Sequence, residues 1–114
     1  MESGAVLTVL GNKYAPEILA ATAEPRSVQS IADELGVPVA TCYRRVNELA
    51  DAGLVELHER ALSDERRRVS LYRRTVDEIT VDFGETGIDV DIETRGEVKS
   101  RIDSVWRMLS DRSN

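Results

Sequence analysis

Along the first half of the chain, hydrophobic positions recur at helical intervals; after Gly53 the period drops to two. Val6, Leu7 and Leu10 lie on one side of a short helix that Gly11 ends. Asn12 is placed to cap a second helix, Lys13 to about Ala23, with Pro16 tolerable in its first turn and Tyr14, Ile18, Leu19 and Thr22 as its inner stripe. "EPR" breaks it. Ser27 caps a third helix in which Val28, Ile31, Ala32 and Leu35 repeat, and Gly36 supplies a left-handed stop. A fourth helix follows from about Val39 to Ala52. Beyond Gly53, "LVELHER" and "RRVSLYRR" alternate on either side of "ALSDE", which predicts a hairpin with a charged loop. A second alternating pair carries Ile79, Val81 and Phe83 on one strand and Ile88, Val90 and Ile92 on the other, joined by "GETG". The opposite faces are acidic, with Asp82, Asp89, Asp91 and Glu93. Thr94 and Glu97 form a capping box for a last helix, whose stripe is Val98, Ile102, Val105 and Leu109 with Trp106 beside it.

On a helical wheel the fourth helix has a sharp division. Cys42, Val46 and Leu49 define its buried stripe, while Ala40, Tyr43, Arg44 and Asn47 point the other way. Arg45 flanks the buried stripe. A helix that reads a major groove must present hydrogen-bonding side chains from its first turns, away from the core. Arg44 suits guanine or phosphate, Asn47 an adenine edge, and Tyr43 a phosphate or a thymine methyl. Thr41 sits at the rim, where hydroxyls bind phosphate, and the small Val39 and Ala40 permit close approach. The alternative is a solvated face of an ordinary amphipathic helix.

Charge shifts the balance between these readings. The chain is acidic in total, at -6, but unevenly so: residues 1–35 carry -3, residues 36–75 carry +2, and residues 76–114 carry -5. The one positive segment begins at the fourth helix. Arginines number 13 against two lysines, and acids outnumber bases 21 to 15. That bias suits a protein kept soluble in concentrated salt, so a halophilic source is expected. With 114 residues there is room for one domain with a real core plus an extension. No apolar run is long enough to span a membrane and no secretion signal is visible, so a cytoplasmic protein without membrane contact is expected. Cys42, the single cysteine, excludes an internal disulfide.

Two short helices joined by "GVP", then a helix, a glycine, a strand, a basic turn and another strand is the order of a winged helix-turn-helix. The expected class is therefore α+β: a winged helix-turn-helix over residues 1–75, with a β-hairpin and dimerisation helix over residues 76–114. "SVQSIADELGVPVATCYRRVNELADAGLVELHERA" resembles the ArsR- and MarR-type winged-helix transcription regulators, most closely their small archaeal members, over about residues 5–75. "IADELGV" matches the first helix and turn of the motif, "TCYRRVNEL" the recognition helix and "AGLV" the turn into the wing. Two positions depart from the pattern. Pro38 replaces the usual capping serine, and Cys42 replaces a small apolar residue. Metal-sensing members carry paired cysteines or histidine clusters, which this chain lacks, so neither metal nor other cofactor is expected.

In the wing, Arg66, Arg67 and Arg68 return from the loop and Arg60 ends the first strand. All four are expected beside backbone or minor groove, the rival reading being neutralisation by Asp64 and Glu65. Arg73 and Arg74 are assigned to structural salt bridges, Tyr72 to packing, and His58 to the surface or to packing. Regulators of this kind dimerise through terminal helices, because symmetric half-sites need two recognition helices about one DNA turn apart. Val98, Ile102, Val105, Trp106 and Leu109 are the expected homodimer surface. The second hairpin extends the wing sheet, braces the tail helix or lines an effector pocket, with bracing preferred; no small-molecule effector is expected. No nucleophile–base pair or phosphate-cradling loop appears, so no enzyme activity is expected. The expected function is sequence-specific binding of double-stranded DNA; the rival from another class is a winged helix that binds proteins instead.

Overall fold

A computed structural model describes residues 3–62 and 68–94. The chain divides into two compact units between Thr75 and Val76. The first holds helices α1 (Ser3–Leu10), α2 (Ala15–Ala21), α3 (Val28–Leu35) and α4 (Val39–Asp51), with strands β1 (Arg26–Ser27), β2 (Val55–Leu62) and β3 (Arg68–Arg74). The second holds β4 (Val76–Gly84) and β5 (Gly87–Thr94). Arg66, Arg67 and the whole predicted tail helix, with Val98, Ile102, Val105, Trp106 and Leu109, lie outside the described residues.

Each helix of the first unit contributes to one core. Val6 of α1, Ile18 of α2, Ile31 of α3 and Val46 and Leu49 of α4 are fully buried, and Leu54 closes the core after α4. Burial of each such side chain stabilises the fold by about 1.5–3 kcal/mol. The α3–α4 pair follows directly from its sequence. Ser27 accepts a hydrogen bond at its Oγ from the Ser30 N–H at 3.1 Å, a cap worth about 1 kcal/mol. Gly36, at φ 68°, reverses the chain after α3, and the Val37 N–H then donates to the Ala32 carbonyl. Pro38 stands as the N-cap of α4 and offers no side-chain bond, as its chemistry requires.

Three expectations need correction. Asn12 does not cap α2, which starts later, at Ala15, and ends earlier, at Ala21. Tyr14 holds the N-cap position in the left-handed region, at φ 74°, and Asn12 donates from Nδ2 to Glu48 Oε2 on α4. A tertiary hydrogen bond has displaced the local cap. Second, "EPR" does more than break a helix: Arg26 and Ser27 form β1, paired antiparallel with Tyr72 and Leu71. The wing sheet is therefore three-stranded, in the order β1–β3–β2. Arg26 also bonds Glu34 and the Ser30 side chain, which ties β1 to α3. Third, β2 runs on to Leu62, so Arg60 lies within the strand, opposite Ser70, and does not end it. β2 carries a bulge at His58: Leu57 pairs with Tyr72 and Glu59 with Leu71.

In the second unit, β4 and β5 form a two-stranded sheet of their own and do not extend the wing sheet. Ile79 faces Ile92, Val81 faces Val90 and Phe83 faces Ile88 across the ladder. Between them on the other face stand Glu78 opposite Glu93, Thr80 opposite Asp91 and Asp82 opposite Asp89. Gly84 pairs with Gly87, leaving Glu85 and Thr86 as a two-residue turn. Gly87 has φ 132°, outside the range that side chains favour.

Candidate nucleic-acid interface

The geometry of α4 follows from its stripe. Cys42, Val46 and Leu49 are buried against the rest of the first unit, which turns the opposite face outward. Tyr43, Arg44 and Asn47 are exposed there, Tyr43 by 52 %. None of the three side chains makes a hydrogen bond or ion pair with another described residue. Val39 and Ala40, at the N-terminal tip, are also exposed, and Thr41 is half-buried beside them. The result is a guanidinium, an amide and a phenol on one face, with small residues ahead of them.

Arg45 has a different fate. Its Nε donates to the Lys13 carbonyl at 2.8 Å, and its terminal nitrogen grips Glu48 at 2.9 and 3.2 Å. Its side chain is only 19 % exposed. Glu48 also accepts from Asn12 at 2.6 Å, so one carboxylate joins Arg45 to the turn before α2. The two adjacent arginines are thus divided in role: Arg44 projects from the domain while Arg45 holds it together. The helical wheel reveals Arg45 as a flanking residue, but its partner Lys13, and Asn12, which it meets only through Glu48, are more than thirty residues away and leave no trace in the local pattern.

In the wing, Arg60 and Arg68 are both exposed. Arg60 lies opposite Ser70, and Arg68 is two residues along the same strand, opposite Leu62. Directly paired residues share a face and alternate residues return to it, so Arg60 and Arg68 project to the same side. Arg73 pairs with Glu56 at 3.3 Å, and Arg74 donates to the Leu19 carbonyl at 3.1 Å, so both are occupied with the fold. Tyr72 is half-buried, and His58, at the bulge, is exposed. Cys42 is fully buried, its Sγ 3.7 Å from the Val28 carbonyl, and burial pushes its thiol pKa up.

No helix among the described residues is long and apolar enough to cross a membrane. No match is found among curated proteins. A family model described as a helix-turn-helix domain matches residues 10–58, from the end of α1 into β2. The fold agrees with that match: α3, Gly36 and α4 form a helix-turn-helix, and β2 and β3 add a wing to it.

Proposed function

We propose that the protein is a sequence-specific transcription regulator of the ArsR/MarR-like type that binds double-stranded DNA as a homodimer. The observation that carries this reading is the outward face of α4, where Tyr43, Arg44 and Asn47 are exposed and uncommitted. Arg44 and Asn47 read base edges, and Tyr43 packs on a thymine methyl or reaches a phosphate. Thr41 and the wing arginines Arg60, Arg66, Arg67 and Arg68 grip the backbone or the adjoining minor groove, with Val39 and Ala40 admitting the helix tip. The C-terminal segment carries the dimer contact, at Val98, Ile102, Val105, Trp106 and Leu109, and so sets the spacing of the two recognition helices. The acid-rich, lysine-poor composition supports a halophilic archaeal source, where the protein works in the cytoplasm. It acts without metal or cofactor.

The decisive comparison is between the two neighbouring arginines. Arg44→Ala removes about 1–3 kcal/mol of base discrimination, roughly a 5- to 150-fold loss in operator affinity, with no change in melting temperature. Arg45→Ala lowers stability by about 1–2 kcal/mol through loss of a partly buried, charge-assisted bond. Thermal melts followed by circular dichroism and binding by fluorescence anisotropy, on operator DNA selected from the host genome at host salt, separate the two effects. Full affinity in Arg44→Ala sinks the assignment of this face. Leu57 and Leu62, exposed on the wing strand, favour a second reading, a protein-binding winged helix. Selection that recovers no DNA sequence would favour that reading.

A further inference from the structure

The outer part of the wing carries unlike side chains on its two faces. Leu57, Arg60 and Leu62 of β2 share one side with Arg68, Ser70 and Tyr72 of β3, while Glu56, Glu59 and Arg73 share the other. Both acids of β2 are thus on the second face, and from Leu57 to the tip the first holds Arg60 and Arg68 and no carboxylate. At the end of that face Leu62 stands directly opposite Arg68 and two residues beyond Arg60. It is 71 % exposed, against 45 % for Leu57. Neither Arg60 nor Arg68 bonds another described residue.

An exposed leucine gains from an apolar slot, and two uncommitted guanidiniums at its rim favour a slot walled by anions. The minor groove of DNA is such a slot. Leucine can enter between stacked base pairs there, and phosphates border a groove about 6 Å wide. We infer that Leu62 is a minor-groove wedge: it inserts between two base pairs beside the site of α4 while Arg60 and Arg68 hold the bordering phosphates, and the duplex kinks at that step. Arg60 lies roughly 7 Å back along the strand and Arg68 roughly 5 Å across it, so both long side chains reach the backbone around one step. The inference rests on the DNA-binding reading above and deepens it. Pyrimidine–purine steps such as TA and CA unstack most easily, so the wedge selects a flexible step at a fixed distance from the bases that α4 reads.

Operator DNA selected from the host genome, with a donor and an acceptor dye at its two ends, tests this through the bend read by energy transfer. The wild type is expected to bend it by roughly 20–90°. Leu62→Ala leaves it nearly straight at an unchanged melting temperature, and Leu62→Phe restores the bend. Leu57→Ala, at the inner end of the same face, bends the DNA as the wild type does. Exchanging the flexible step for a stiff one costs the wild type roughly 5- to 150-fold in affinity and Leu62→Ala little. Where Leu62→Ala binds too weakly for a bend to be read, a mismatch at the step, which lowers the cost of unstacking, restores its affinity; a mismatch without effect overturns the inference. A wild type that binds its operator without bending it also overturns the inference and leaves the DNA-binding reading standing. So does a Leu62→Ala variant that bends the DNA fully. Selection that recovers no DNA sequence removes the reading beneath the wedge as well, and assigns Leu62 to a protein partner.

Discussion

Arg44 and Arg45 show how one peptide bond can separate an exposed arginine from one bonded into the fold. Successive helical residues differ by about 100° in direction. Arg44 therefore projects with Tyr43 and Asn47, while Arg45 reaches back over the turn before α2 and closes on Lys13 and Glu48. Cys42 lies on the other side of the same turn, at zero exposure beneath the outward face of α4. Its raised pKa has a cost with a definite sign. Below the ordinary thiol range both folded and unfolded chains keep the proton, and stability is unaffected. As pH rises through that range the unfolded chain ionises while the buried thiol does not, so stability is progressively lost. The melting temperature should fall more steeply above pH ~8.5 in the wild type than in Cys42→Val. Parallel slopes would show that the buried thiol is not the group responsible.

Elements differ in how much of them can be read from sequence. α3 and α4 are fully legible because their signals are local: Ser27 as a cap, Gly36 as a stop, and stripes that repeat every three or four residues. The β4–β5 ribbon is legible for the same reason, since alternation on both strands fixes the pairing that brings Val81 opposite Val90. β1 is not, because two residues cannot display a period and its partner, Tyr72, is distant in sequence. The start of α2 is hidden for a related reason: Asn12 has a better partner in Glu48 than in the helix it precedes. On the candidate site, the outward face of α4 is readable from its wheel, whereas the placement of Arg60 beside Arg68 depends on a bulge that no local signal announces. The ribbon also makes an energetic prediction. Asp82 stands directly opposite Asp89, and like charges so placed repel. Asp82→Lys should stabilise the ribbon by about 0.2–1 kcal/mol in dilute buffer and by less in strong salt. Urea denaturation at two salt concentrations would measure it, and equal gains at both would rule out the electrostatic account.

For the molecule as a whole, acidity is segregated: residues 36–75 carry +2 and residues 76–114 carry -5. In the DNA-binding role proposed for it, a unit with so little positive charge would gain little from counterion release, and in molar salt screening shrinks to about 3 Å. On that proposal, recognition would lean on α4 more than on the wing. Arg68→Ala should flatten the slope of log affinity against log salt by about 1, with a penalty that fades toward molar salt. The penalty of Arg44→Ala should persist throughout the same titration. A binding isotherm series from dilute to molar salt distinguishes them, and parallel lines for both variants would refute the division of labour between helix and wing.

The single extra residue at the β2 bulge, His58, shifts the phase of the strand. Up to Leu57, odd-numbered residues share a face with Tyr72; from Glu59 onward, even-numbered residues do, which brings Arg60 and Leu62 onto the side of Ser70 and Arg68. The base and the tip of the wing are thus written in two reading frames. Substitutions at the tip can change which side chains meet a ligand without altering the alternation that buries Val55 at the base. Such a strand gives selection, or an engineer, a recognition surface that can drift independently of the core to which it is joined.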